Sequence, residues 1–410
     1  MLKYEAAVTL LQSSTRTEVL FGTIVSASLN DPWYPFDQRV INFLNDLSRW
    51  IISSQSARSY PELIAFGFWC RISNITSLQQ RQVRNDLEIG RGVSFHIPPS
   101  NVPLNCAYSL AVGLLAGNTC IVRLPAASPE LDELLRSLGD LQRQQNHDSV
   151  MRRLVLLRYG HNDQITTELS GLADVRVIWG GDSTVQHIRT LPTKPRCVDI
   201  AFADRVSVAL IRSESVLECS EAELQGVCAR FVADSLTFGQ NACSSPRLVV
   251  WEGSKARLTS SASSRLWGKV DEVIRETTAQ EPIEVMSRLA ELCEVIATSD
   301  VVREINAAGP QTVRLQVSSE NGWLESSKLR FGTFSEISVS NLDEVTDLLT
   351  EKVQTLTYFG YSTTEIRSWL TERVLAHVDH VVPIGNALDF DLIWDGFPMI
   401  QMMTRSVRLR

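Results

Sequence analysis

From Gly90 onward, short apolar runs alternate with stretches in which apolar residues recur every three or four positions. The runs Gly92–Pro98, Thr119–Leu124, Arg153–Arg158 and Val175–Trp179 predict strands. Between them, Asn105–Leu115, Pro129–Leu141 and a stretch from about His161 to Leu172 predict helices. This rhythm predicts an α/β protein built on doubly wound, largely parallel sheets, which bind ligands beyond the carboxyl ends of their strands. A second series follows: a strand over Val206–Ile211, a helical face of Leu224, Val227, Cys228, Phe231, Val232 and Leu236, and a strand over Leu248–Trp251. Helices around Pro282–Ala297, Asp343–Lys352 and Thr363–Leu375 continue it. Ahead of Gly90 the pattern predicts helices over Gln38–Ser53 and Pro61–Ile75 and a strand-like piece over Glu18–Val25, with Trp50, Phe66, Phe68 and Trp69 as core. The expected division is a first α/β domain over 1–204, a second over 205–382, and a tail over 383–410 whose apolar stretch Pro398–Met403 predicts a subunit contact in a homo-oligomer.

With 410 residues, 44% apolar and 21% charged, the chain is long enough for two ordinary globular cores. The first twenty residues lack an unbroken apolar core behind a basic start, and no apolar run approaches the roughly 18 residues of a membrane span. Eight scattered cysteines with no CxxC pair predict a reduced, cytoplasmic protein without a structural zinc site. A net charge of -8 argues against general nucleic-acid binding, which requires a basic face, but leaves room for a local anion site.

Four stretches carry chemistry. The loop Phe238-Gly239-Gln240-Asn241-Ala242-Cys243-Ser244-Ser245-Pro246 lies between a helix and a strand, with Gly239 where the helix should stop. Cys243 is therefore a candidate nucleophile on a rigidly held loop, against the plainer reading of a small buried hydrophobe. Ile97-Pro98-Pro99-Ser100-Asn101-Val102-Pro103 leaves Asn101 beyond a strand end, where its two N–H donors suit an oxyanion hole or, alternatively, a turn or N-cap. Ala116-Gly117-Asn118 turns into a strand ending at Arg123, a cation for a nucleotide phosphate or ribose, or simply a solvated arginine. Trp179-Gly180-Gly181-Asp182-Ser183-Thr184 runs from a strand into a helix whose first N–H groups can hold a phosphate, although it lacks the GxGxxG fingerprint.

In order and approximate spacing, Asn101, Ala116-Gly117-Asn118, Arg123, Gly180-Gly181 and Cys243 resemble the aldehyde dehydrogenase superfamily. Within it, Trp179-Gly180-Gly181-Asp182, Ala242-Cys243-Ser244-Ser245-Pro246, Val382-Pro383-Ile384-Gly385 and Trp394-Asp395-Gly396 are similar to the acyl-CoA reductase family, the fatty acid reductases of bacterial luciferase aldehyde supply. The resemblance runs from about Arg91 to the C-terminus. It implies two doubly wound αβα domains with the active site between them, a small oligomerisation segment, and a homo-oligomer. It further implies that Cys243 takes the acyl group of an acyl-CoA as a thioester, that Asn101 holds the oxyanion, and that a nicotinamide cofactor reduces the thioester to aldehyde. Pro98, Pro99, Ser100, Arg123, Gly180, Gly181 and Ser183 are the implied cofactor contacts. Arg123 stands where the superfamily usually has a lysine on the adenosine ribose, which favours NADPH. An acyl-protein synthetase is the implied partner.

Two departures bear on the reaction. Ala201 stands where oxidative members carry the glutamate that activates water, which suits a reductase. The glutamate that contacts the nicotinamide ribose has no counterpart near Lys328–Gly332. The competing readings are an oxidative aldehyde dehydrogenase, a Cys–His thiol hydrolase using His377, and a non-catalytic scaffold subunit. His96 and His161 are expected to be structural, and His377 and His380 to lie on a solvated face rather than to bind metal.

Overall fold

The computed structural model describes residues 17–23, 31–82, 87–277, 282–298, 302–306, 311–317, 323–373 and 377–408. The ends of the expected pieces Glu18–Val25 and Thr363–Leu375 lie partly outside them. Two compact units form: Met1–Ala203 with Phe390–Arg410, and Asp204–Asp389.

The first unit is organised by β1 (Thr17–Phe21), β2 (Leu87–Gly90), β3 (Val93–Ile97), β4 (Thr119–Arg123), β5 (Leu154–Tyr159), β6 (Val175–Trp179) and β7 (Val198–Phe202). Six of these make one sheet in the order β1-β5-β4-β3-β6-β7, parallel throughout except for β1. Every residue of β3 and β6 is buried, as expected for strands covered on both faces by crossover helices. The buried charge in β6 is Arg176, whose guanidinium is bidentate to Asp199 of β7 (2.8 and 2.7 Å) and also donates to the Ile188 and Leu191 carbonyls. The chain moves outward from β3 through β4 to β5, then returns to β3's other side as β6 and β7. The carboxyl ends of β3 and β6 therefore flank a topological switch point.

The tail closes this same unit. Thr404–Val407 pairs antiparallel with β2, and Met399, Ile400 and Met403 are buried in the unit's own core. The apolar stretch expected to meet another subunit is thus covered within the chain. Trp394-Asp395-Gly396 is the turn of a minute hairpin, Asp395 and Gly396 both having positive φ (51° and 74°), which suits a two-residue connection. Gly117 has φ +83°, and a Cβ there would lie 2.1 Å from the Trp33 carbonyl, so the turn admits only glycine. The fully buried Asn118 accepts from Gly92 N–H (3.0 Å) and donates to the Met403 carbonyl (3.0 Å), joining the start of β3 to the tail.

The second unit holds β8 (Val206–Arg212), β9 (Pro246–Glu252), β10 (Val302–Asn306), β11 (Val313–Val317), β12 (Thr333–Val339), β13 (Val353–Phe359) and β14 (His380–Pro383), in the order β10-β11-β12-β9-β8-β13-β14. All but β10 run parallel. Several elements differ from the sequence reading. The helix expected over Asp343–Lys352 ends at Leu348, and β-branched and aromatic residues take Val353–Phe359 into a strand. Pro61–Ile75 is two helices, Pro61–Trp69 and Ile72–Arg81, separated where Arg71 adopts an extended ψ of 141°. A helix over Ala256–Thr277 was not anticipated; its serine-rich face conceals a buried stripe that includes Ala262, Leu266, Trp267, Val270 and Ile274. No helix among the described residues is long and apolar enough to cross a membrane.

Replacing Asn118 by alanine leaves the Gly92 amide and the Met403 carbonyl with fewer partners in a dry site. The expected loss is about 2–3 kcal/mol of unfolding free energy, read from urea denaturation, with Asn118→Asp also destabilising because it cannot donate.

Candidate active site

Two groups of sequence-predicted residues emerge, one in each unit. In the first unit, Pro98, Pro99, Ser100 and Asn101 follow β3, Gly180, Gly181 and Ser183 follow β6, and Arg123 ends β4. Because β4, β3 and β6 are adjacent and parallel, all of these lie along one carboxyl edge, around the switch point. Gly181 caps the helix Asp182–Thr190, and a Cβ at Gly181 would meet nothing within 4 Å, so a ligand can approach that backbone closely. Gly180 N–H is held by the Phe202 carbonyl (3.1 Å). The Arg123 side chain stacks over Tyr159 (4.8 Å to the ring centre) and donates to its carbonyl (3.3 Å), which steadies the guanidinium at the edge. Asn101 is exposed in the bend between β3 and the helix Asn105–Leu115. His96 is wholly buried between the hydroxyls of Ser94 (2.8 Å) and Ser109 (2.7 Å), and burial pushes its pKa down to about 3. It is a neutral structural residue.

In the second unit, Cys243 sits at the amino edge of the sheet, in the loop entering β9. The helix Glu221–Leu236 leading to it starts with a capping box between Ser220 and Glu223, and its last turn holds the loop. Carbonyls 234, 235 and 236 accept from Ser245 Oγ (2.8 Å), Gln240 N–H (3.0 Å) and Gly239 N–H (3.0 Å) respectively. Ser207 Oγ, at the start of β8, donates to the Cys243 carbonyl (2.6 Å). Gln240 is fully buried with φ +60°; its amide donates to the Pro246 (3.3 Å) and Thr333 (3.1 Å) carbonyls and accepts from Gly332 N–H (2.7 Å). Cys243 is half-buried, whereas burial pushes the Cys106, Cys120 and Cys228 thiols up to about 12, which silences them.

Two arginines serve this loop. Arg247 donates to the Gln240 carbonyl (3.2 and 2.9 Å) and to the Ser327 carbonyl (2.7 Å). Burial holds its pKa below the ordinary arginine range, Arg330 adds to that, and negative charge on Asp204, Cys243 and Glu291 opposes it. A thiolate at Cys243 and the Arg247 cation therefore stabilise one another. Arg330 donates to Asn241 Oδ1 (2.7 Å) and is ion-paired with Glu291 of the helix Pro282–Thr298. The glutamate expected on the nicotinamide ribose has no counterpart in the sequence near Lys328–Gly332; the acid that the fold brings to Arg330 is Glu291, from a distant helix. Glu291, Lys328 and Arg330 also line a pocket of about 390 Å³.

The sequence profile described as Acyl-CoA reductase (LuxC) matches residues 71–406. The chain belongs to that family. A long-chain acyl-protein thioester reductase of Aliivibrio fischeri is 27% identical over 168 residues, 40% of this chain and 32% of that protein. The protein of the same description from Vibrio harveyi is 28% identical over 172 residues, again 40% of this chain and 33% of the relative. The matched part thus spans about a third of the length of these curated relatives. Among solved structures, lactaldehyde dehydrogenase from Escherichia coli superposes with a TM-score of 0.59 at 11% identity, covering 90% of this chain and 83% of that one. The fold is that of the aldehyde dehydrogenases.

Arg247→Gln removes the cation while leaving one side-chain donor. Alkylation of Cys243 by iodoacetamide at neutral pH, followed by peptide mass, is expected to slow by about tenfold, equivalent to roughly 1.4 kcal/mol of lost charge stabilisation. Arg247→Lys should fall between the two, since it keeps charge without the fork. Equal rates in all three proteins would show that the guanidinium does not act on the sulfur.

Proposed function

We propose that this chain reduces a fatty acyl thioester to the aldehyde with NADPH, through an acyl-thioester on Cys243. The observation that carries the reading is the Cys243 loop itself: a half-buried thiol on a segment pinned at both ends, beside an arginine, in a chain of the acyl-CoA reductase family. The acyl donor is an acyl-CoA or the thioester of an acyl-protein synthetase partner, a proposal supported by the description of the relatives as acyl-protein thioester reductases. A homo-oligomer is part of the same reading.

Cys243 attacks the thioester carbonyl as the thiolate, so that a carbon–sulfur bond forms while the bond to the donor's sulfur breaks, and the donor leaves as a thiolate that takes its proton from water. The Asn101 amide and the Cys243 N–H are the proposed donors to the oxyanion. Pro98, Pro99, Ser100, Arg123, Gly180, Gly181 and Ser183 are the proposed holders of the dinucleotide. An open helix start at Gly181 and a steadied guanidinium at Arg123 fit its phosphates. Bound NADPH would supply hydride to the acyl carbon. Cys243 then leaves as the thiolate and the aldehyde is released. With alanine at 201, that position offers no side-chain base to activate water, which favours reduction over hydrolysis of the acyl-enzyme.

Intact mass after incubation with a long-chain acyl-CoA and no reductant tests the reading. The wild type should gain one acyl group and Cys243→Ala none, and NADPH should discharge the adduct as aldehyde. An unmodified wild type across acyl-CoAs and acyl-protein donors would overturn it. Arg123→Gln is expected to raise KM for NADPH by about tenfold, the worth of one charge-assisted hydrogen bond, with KM for NADH little changed. Parallel changes for both cofactors would remove Arg123 from the 2′-phosphate.

A further inference from the structure

The last turn of the helix Glu221–Leu236 is the seat of the nucleophile loop, and one side chain in that turn does something the loop itself does not require. Asp234 is 2% exposed, and its carboxylate bonds the turn after β14. There Oδ2 accepts from Gly385 N–H (2.6 Å) and Oδ1 from Ala387 N–H (3.1 Å). Buried amides need acceptors, and a single carboxylate satisfies both. The backbone of the same residue accepts Ser245 Oγ. Asp234 is therefore bonded on one side to the turn over 385–387 and on the other to the segment that carries Cys243.

The turn is itself closely built. Gly385 has φ +107°, and a Cβ there would lie 2.5 to 2.9 Å from Arg230 side-chain carbons, so the helix and turn meet with no spare room. Arg230 Nε donates to the Ile384 carbonyl (3.3 Å), Ile384 N–H to the Tyr358 carbonyl (3.0 Å), and Asn386 to Asp389 Oδ2 (2.7 Å). Ile384 is buried against the apolar face of the helix.

Resting on the reading of Cys243 as nucleophile, we infer that Asp234 is a positioning residue for that cysteine: its ionised carboxylate ties the seat of the loop to the 385–387 turn. Burial pushes the Asp234 carboxyl up to about 6; the two backbone N–H groups and the Arg230 cation oppose this, and the Asp389 carboxylate adds to it. Arg230 reaches it from the same helix and Asp389 from the turn. Near neutral pH the carboxylate is ionised and accepts both N–H groups. As pH falls through 6 it takes up a proton, one oxygen becomes a donor facing an N–H, and the tie is halved.

The test compares Asp234→Asn with the wild type from pH 5 to 8, using iodoacetamide alkylation of Cys243, which needs neither acyl donor nor cofactor. Asparagine is neutral throughout and resembles the protonated acid. The ratio of variant to wild-type alkylation rates cancels the titration of the cysteine. It is expected to be near one at pH 5 and to fall to about 0.1 at pH 8, with a midpoint near 6. A ratio that stays constant across this range overturns the inference, whether it equals one or lies below it. Should the variant not fold, amide hydrogen exchange of the wild type decides: Gly385 and Ala387, corrected for intrinsic rates, should open more readily at pH 5 than at pH 7.5. Equal protection at both overturns the inference. If the wild type accepts no acyl group in the mass experiment above, the proposed function fails, while the alkylation ratio still decides the role of Asp234.

Discussion

The second unit depends on what is done with Gln240. A helix that stops at Leu236 and a strand that starts at Pro246 leave a short connection whose backbone groups would be buried without partners. Gln240 enters this gap with a left-handed backbone, and its amide joins the starts of two neighbouring strands through Pro246, Thr333 and Gly332. Its carbonyl then takes the Arg247 fork. One uncharged side chain thus replaces the ladder bonds that parallel strands lack at their amino ends. The positive φ, costly for a residue with a Cβ, is offset by the bonds that its own N–H, carbonyl and side-chain amide all make. A loop fixed in this way holds the half-buried Cys243 thiol on a backbone tied to the helix and strands around it.

The elements that build the first unit were largely legible. The short β-rich runs at 93–97, 119–123 and 175–179 stand out between helical stretches, even though Ser94, His96, Thr119 and Arg176 place buried polar side chains within them. Asn105–Leu115 and Gln38–Ser53 were read to the residue, since helices of that length repeat their apolar positions several times. The motif residues after β3, β4 and β6 were also legible as a set, although only the strand order shows that they share one edge. The Asn118 turn was read as a local feature, and its bond to Met403 was invisible because it spans most of the chain.

Legibility fails where long-range pairing overrides local pattern. Val353–Phe359 has strand-forming residues directly after a helix start, and its place between β8 and β14 makes it a central strand. The tail's apolar residues looked unpartnered because their partners lie far earlier in the sequence, in the helix Asn105–Leu115 and around it. Glu291 is the clearest case: it is one of several charged residues on the helix Pro282–Thr298, and only the fold shows that it is the one that meets the distant Arg330.

The distribution of acids makes a further physical point about the chemistry. The most deeply buried carboxylate of the second unit, Glu336, is shared by the indoles of Trp251 and Trp267, Ser263 and Gln316, so its lone pairs are spent in the core. Glu291 gives one oxygen to the Arg330 guanidinium and the other to the Arg330 N–H. Asp234 gives both of its oxygens to backbone amides. Each of these carboxylates close to the Cys243 segment or beneath it is engaged as an acceptor, and the Arg247 cation, bonded to the Gln240 carbonyl of the same loop, interacts favourably with negative charge on Cys243. A carboxylate engaged in this way has its lone pairs committed to fixed donors, and for Asp234 burial raises the pKa to about 6 in spite of them. If Cys243 carries the acyl group as proposed, these three acids are held by structural donors rather than left free to activate water against it.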